Sequence, residues 1–225
     1  MGIIQSQQNK HDKKTIHFTL ASSKDLLLIF TRNPELGKCK TRLAETVGDE
    51  AALDIYKFLL RHTVSITENL NAAKQVWYSE EIWDDDIWDD AFYDKKLQKG
   101  DHLGVRMANA FQEGFASNYE RIIIIGSDMF DLKQSDLENA FAQLKENDFV
   151  IGPAEDGGYY LLGMKSFKSE LFRDKQWGSK TILEDTLENL KDEKLVILEE
   201  RNDVDVYEDI KDDRAFQHFL KHIGK

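Results

Sequence analysis

Arg121-Ile122-Ile123-Ile124-Ile125-Gly126-Ser127-Asp128-Met129-Phe130-Asp131-Leu132 is the stretch on which the fold turns. Apolar at every position of the isoleucine run, it reads as a strand buried on both faces, the habit of strands in a parallel sheet. It ends in glycine, a small residue and a carboxylate. In such sheets the carboxyl ends of the strands line the ligand crevice, so Asp128 is set where a cation could bridge it to phosphate oxygens. A turn or helix cap is the competing reading for Asp128, and the first choice for Asp131.

Around this strand, short β-branched or apolar runs alternate with segments of helical period, the pattern of crossover units about a mostly parallel sheet. Leu26–Phe30, Gln75–Tyr78, Phe149–Gly152, Tyr159–Met164 and Leu195–Leu198 are the other candidate strands. Helices are expected where Ala52, Tyr56, Leu59, Thr63 and Ile66 share one face, over Leu103–Tyr119, Ser135–Lys145 and Lys180–Leu190, and over a closing segment at 207–222. Only two prolines occur, and no linker or repeat divides the chain, so residues 25–225 read as one α/β domain. Residues 1–24 read as a tail, with Thr15–Leu20 alternating well enough to add an edge strand.

Three further stretches carry chemistry. Phe30-Thr31-Arg32-Asn33-Pro34-Glu35-Leu36-Gly37-Lys38-Cys39-Lys40-Thr41-Arg42-Leu43 follows the first strand, and a turn held by Pro34 and Gly37 opens backbone N–H groups to an anion. Lys40, Thr41 and Arg42 then complete a phosphate grip, a solvated basic turn being the alternative. Gly152-Pro153-Ala154-Glu155-Asp156-Gly157-Gly158 lies between two strands as a substrate loop; Asp156 could hold a sugar hydroxyl or accept a proton, although a plain hairpin explains Asp-Gly-Gly as well. Asp203-Val204-Asp205 follows the final strand. Asp205, chosen over Asp203, would join Asp128 as a two-carboxylate site for Mg²⁺ or Mn²⁺; either aspartate could instead cap the next helix.

Composition narrows the classes. Lys and Arg number 30 against 42 Asp and Glu, a net charge of -12 that repels nucleic acid and anionic membranes. The single cysteine, Cys39, excludes an internal disulfide and a thiolate zinc cluster and agrees with a reducing compartment. No apolar run is long enough to span a bilayer and the start has no apolar signal core, so a cytoplasmic location is expected. The acidic, aromatic run Ile82–Asp90 has its carboxylates in sequence instead of converging, and reads as an anchored loop without chemistry.

Pro34-x-x-Gly37-x-x-Lys40-Thr41-Arg42-Leu43, Gly126-Ser127-Asp128, Gly152-Pro153-Ala154-x-Asp156-Gly157-Gly158-Tyr159-Tyr160-Leu161 and Asp203-Val204-Asp205, in this order, resemble the nucleotide-diphospho-sugar transferase superfamily. Within it they are similar to a bacterial glycosyltransferase-like family, related to molybdenum-cofactor and 2-phospholactate guanylyltransferases. The resemblance implies a three-layer α/β/α sandwich of the glycosyltransferase-A type, with Lys40 and Arg42 on phosphates, Asp128 and Asp205 on the divalent ion, and catalytic duty for Asp128 and Asp156. Gly100-Asp101-His102-Leu103-Gly104 also resembles a family landmark, but with His102 where an acidic residue is expected before Leu-Gly.

The function these features imply is a metal-dependent transferase with a nucleotide-sugar donor and a small-molecule acceptor. Nucleotidyl transfer from a nucleoside triphosphate is the alternative, since Lys40 and Arg42 suit the extra charge. A catalytically silent nucleotide- or partner-binding module is the third reading.

Overall fold

The computed structural model describes residues 23–221 and 223. Its centre is a seven-stranded sheet of β1 (Asp25–Thr31), β2 (Ala73–Tyr78), β3 (Asp94–Leu97), β4 (Arg121–Gly126), β5 (Phe149–Pro153), β6 (Tyr159–Met164) and β7 (Leu195–Ile197), in the order β3-β2-β1-β4-β6-β5-β7. Every neighbouring pair is parallel except those of β6, which runs antiparallel to both β4 and β5. The isoleucine run is central: Ile122 to Ile125 lie opposite Leu26 to Ile29 of β1 on one side and Leu161 to Met164 of β6 on the other. All four isoleucines are buried, as strands covered on both faces must be.

Helices α1 (Thr41–Val47), α2 (Asp49–Thr67), α3 (Leu103–Ala116), α4 (Gln134–Glu146) and α5 (Ile182–Asn189) cover the sheet. Side chains alternate across a strand, so Leu27, Ile29, Ile123 and Ile125 meet Tyr56 and Leu60 of α2 and Leu137 and Phe141 of α4 on one face. Leu26, Leu28, Ile122 and Ile124 meet Met107 and Phe111 of α3 on the other, with Leu183 and Leu187 of α5 beside them. That is the three-layer arrangement. A third apolar cluster lies outside it, where Leu43 of α1 and Ile55 and Leu59 of α2 pack on Val204, Ile210 and Phe216.

Two expectations are corrected. β3 reads Asp-Lys-Lys-Leu, without the apolar alternation that marks a strand, because it is an edge strand paired only with β2, and charged edges resist pairing with a further chain. The closing helix expected over 207–222 is, among the described residues, a short 3₁₀ turn at Tyr207–Asp209 followed by successive turns. Side chains outcompete the helix there: the Asp213 carboxylate takes the Ala215 N–H, and the Gln217 amide donates to the carbonyls of Lys211 and Asp213. The expected edge strand at Thr15–Leu20 lies outside the described residues. Ile82–Asp90 is a loop pinned by buried Trp88, which meets Tyr93 edge-on, and by Asp86, which binds Tyr78 and Lys95. Among the described residues no helix is long and apolar enough to cross a membrane.

Candidate active site

The carboxyl ends of β1 and β4 are joined by one buried hydroxyl. Tyr56 of α2 meets Thr31 Oγ1 and Ser127 Oγ, each at 3.2 Å, and accepts the Arg32 N–H at 2.9 Å. Ser127 also donates to Thr31, closing a ring of hydroxyls at 3.1 Å. Burial raises the Tyr56 pKa, so the hydroxyl keeps its proton. Buried Asn33 ties the first loop to the segment after β2, donating to the Glu81 carbonyl at 2.9 Å and accepting N–H groups from Glu80 and Glu81.

Lys40 ends this loop and opens α1. Its backbone is left-handed, φ 50, which costs an L-residue free energy and persists only where the surroundings hold it. Two contacts hold it: its carbonyl starts α1 by accepting the Ala44 N–H, and its ammonium lies 2.8 Å from Asp128 Oδ2. The Lys40 side chain is only 7% exposed. Burial works against its charge, but Asp128, then Asp203 and Asp205, outweigh that and raise its pKa. Two residues on, Arg42 pairs with Asp205 in the open, its own side chain 69% exposed. Pro34 and Gly37 shape the loop, Gly37 at φ 72, and exposed Thr41 begins α1.

The late aspartates arrive through β5. Past its end the chain keeps a parallel bridge from Ala154 to Arg201, with Arg201 N–H on the Pro153 carbonyl and Glu155 N–H on that of Arg201. Val204 N–H then reaches the Asp128 carbonyl at 3.4 Å, and the Asp209 carboxylate takes the N–H groups of Asp205 and Val206. Asp203 and Asp128 therefore face the same cleft. Burial, and after it the Asp128 carboxylate, push the Asp203 pKa up to about 6, Lys40 opposing and Asp156 and Asp205 adding to the rise. Asp156 is exposed on the β5–β6 turn, its carboxylate accepting the Gly158 N–H at 2.8 Å.

The cleft measures about 260 Å³ and is lined by these carboxylates, Asp128, Asp156 and Asp203, together with the apolar Phe30, Leu103, Met107, Ile124, Trp177 and Ile182. Two glycines seat its roof, the segment before α5. A Cβ on Gly104 would lie 2.2 Å from Trp177 Nε1, and one on Gly157, itself at φ 88, would lie 2.3 Å from the Lys180 carbonyl oxygen. Trp177 thus rests directly on the α3 backbone, and its indole N–H is buried with no hydrogen-bond acceptor.

Of the residues singled out in the sequence, Lys40, Arg42, Asp128, Asp156 and Asp205 come together. Gly152 and Pro153 do not join them: both are paired residues of β5, and Gly152 makes room for the Tyr160 ring. Within the Gly-Gly pair, Gly158 lines the cleft while Gly157 carries the roof. Tyr56, Asn33, Ser127 and Trp177 were not legible as site residues. Tyr56 was visible only as an apolar helix position, and no local pattern marks a tryptophan that reaches α3 from a distant loop.

Hard carboxylate oxygens at the carboxyl ends of two strands fit Mg²⁺ or Mn²⁺. Among the described residues no three His, Cys, Asp or Glu side chains form a group that could hold a metal ion on their own. The Lys40 ammonium is the counter-charge of Asp128.

No curated protein matches the chain in sequence. Among solved structures, a protein from Desulfovibrio desulfuricans G20, provisionally assigned as a nucleotide-diphospho-sugar transferase, is 30% identical over 89% of this chain and 95% of its own, with a TM-score of 0.79. The 4-diphosphocytidyl-2C-methyl-D-erythritol synthase of Anaerococcus prevotii DSM 20548 shares the fold at 10% identity and a TM-score of 0.56, over 89% of this chain and 99% of its own. A CMP:2-keto-3-deoxy-manno-octonic acid synthetase bound to CTP does so at 11% and 0.52, over 87% and 99%. The fold is therefore the α/β fold of the nucleotide-diphospho-sugar transferases. Residues 62–179 match the family described as "Uncharacterized protein conserved in bacteria (DUF2064)", and the chain belongs to that family.

Proposed function

We propose that the protein is a metal-dependent transferase that takes a nucleotide-sugar as donor and passes the sugar to a small acceptor. The observation that carries this reading is the ion pair of the buried Lys40 ammonium with Asp128, which unites the first loop and the end of β4 in a cluster that also holds Asp203, Asp205 and Arg42. The likeness to the Desulfovibrio protein, named for this class of reaction, supports it.

In this reading Lys40 and Arg42 hold the donor's phosphates, releasing their carboxylates as they do so. Asp128 and Asp205 would hold the divalent ion, which would neutralise charge on the departing nucleoside diphosphate. Asp156, exposed and lining the cleft, accepts the proton of the acceptor hydroxyl as the new bond forms. The Tyr56 ring of hydroxyls keeps Asp128 and the loop in fixed register, so the charges are in place before substrate arrives.

Nucleotidyl transfer from a nucleoside triphosphate is the second reading, favoured by two cations, Lys40 and Arg42, at one carboxylate cluster, more than a diphosphate requires. Thermal stabilisation by nucleotide-sugars, diphosphates and triphosphates, with and without Mn²⁺, tests both. A ligand at about 100 times its dissociation constant adds roughly 2.7 kcal/mol. Metal-dependent stabilisation lost in Asp128→Asn is the expected result; release of nucleoside diphosphate marks the first reading and of pyrophosphate the second. No stabilisation by any nucleotide under any metal condition overturns both.

A further inference from the structure

The lining of the cleft combines two chemistries. Much of it is hydrocarbon, from Phe30, Leu103, Met107, Ile124, Trp177 and Ile182. Asp128, Asp156 and Asp203 line it too, and no lysine, arginine or histidine does. Lys40 and Arg42 face the cluster from the first loop, each already paired with a carboxylate. Four aspartates thus stand against two cations, and a divalent ion would only complete the balance. The donor's phosphates would claim those cations. An acceptor entering the cleft meets carboxylates, hydrocarbon and a few neutral donors, the Trp177 N–H and the Tyr159 hydroxyl among them, but no lining cation, so a further anion gains at most neutral hydrogen bonds against the repulsion of the aspartates.

From this asymmetry we infer that the cleft takes an acceptor with a compact apolar or aromatic framework whose polar end is uncharged or cationic, a hydroxyl or an amine, and that it rejects phosphorylated and carboxylate acceptors. The inference rests on the transferase reading for the word acceptor, but the selectivity belongs to the cleft itself. Its apolar lining fixes the framework, as in ligand pockets where most of the wall is hydrocarbon and a few polar groups set orientation. The aspartates fix the charge.

Benzyl alcohol, benzylamine and benzyl phosphate share one framework and differ in that end, and the Trp177 indole N–H, identified by its loss in Trp177→Phe, reports occupancy of the cleft by NMR. Titration of the full chain with each should move this signal, with dissociation constants for the amine and the alcohol at least tenfold below that for the phosphate. Asp156→Asn, a change on an exposed turn, should narrow the ratio of amine to phosphate. The inference is overturned if benzyl phosphate binds tightest at Trp177, or if none of the three moves the signal. Nucleotide stabilisation measured on the same sample separates the two claims: selectivity at Trp177 without any nucleotide effect supports the cleft's preference and removes the transferase reading.

Discussion

The two ion pairs that fasten the first loop look alike in sequence, a cation two residues from another and each facing an aspartate, yet they are built for different work. Lys40, its side chain buried and its backbone left-handed, meets Asp128, whose preceding residue Ser127 is tied by its hydroxyl to Tyr56. Arg42 and Asp205 meet at the surface, with Asp205 steadied through its backbone by Asp209. A shielded pair feels each partner strongly and is costly to break, whereas an exposed pair is weak and easily exchanged for another ligand. The first should hold architecture and chemistry together. The second should behave as a catch that opens for phosphate.

The sharpest way to break this contrast is Asp128→Asn, which leaves the Lys40 ammonium without its carboxylate. Allowing for the part of Asp128 that water reaches, unfolding by denaturant should show a loss of about 2 kcal/mol, together with loss of metal-dependent nucleotide stabilisation. A loss under about 0.5 kcal/mol would put the two pairs in one class. Tyr56→Phe removes the shared hydroxyl while keeping the ring; about 1 to 2 kcal/mol of stability should go, and nucleotide affinity should fall with it because the loop and β4 are no longer tied.

Asp203→Asn sharpens the comparison through pH. The Asp203 pKa is raised from 3.8 to about 6 in the fold, so the native state favours its protonated form. Its contribution is most favourable below the unfolded pKa and is lost as pH rises through the folded one. The amide substitution should therefore stabilise the ligand-free protein by roughly 1 kcal/mol at pH 7, the gain fading as pH falls from 6 towards 4. Thermal melts across that range test the sign. Smallest of all, Arg42→Ala should change stability by less than about 0.5 kcal/mol, while weakening nucleotide binding and reducing its dependence on salt.

Six of the seven strands and the helices α2 to α5 were readable because burial on both faces, or on one stripe, leaves a periodic imprint. β3 left none, since an edge strand selected for charge has the composition of a loop. The 207–222 stretch failed for the opposite reason: Phe216 and Leu220 are buried four residues apart, as on a helix, but turns deliver them and Ile210 to the α1–α2 face equally well. Lys40, Arg42, Asp128, Asp156 and Asp205, which the fold brings together, stand out in the sequence as charges just past predicted strands, where a cap or a solvated turn is the competing use. The hydroxyl ring, the roof at Trp177 and the nearness of Asp203 to Asp128 were not legible, because each depends on which distant segments the sheet order brings together.

Lys40 carries a tension that protein engineers would recognise. Its backbone sits where glycine is at ease and an L-residue is not, and its ammonium has given up water for one carboxylate. Lys40→Gly would relax the first and abolish the second. The relaxed backbone is set against a broken ion pair that is costly to lose, so selection for heat resistance and selection for turnover should both keep a cation at position 40, and a library challenged by each in turn would show it.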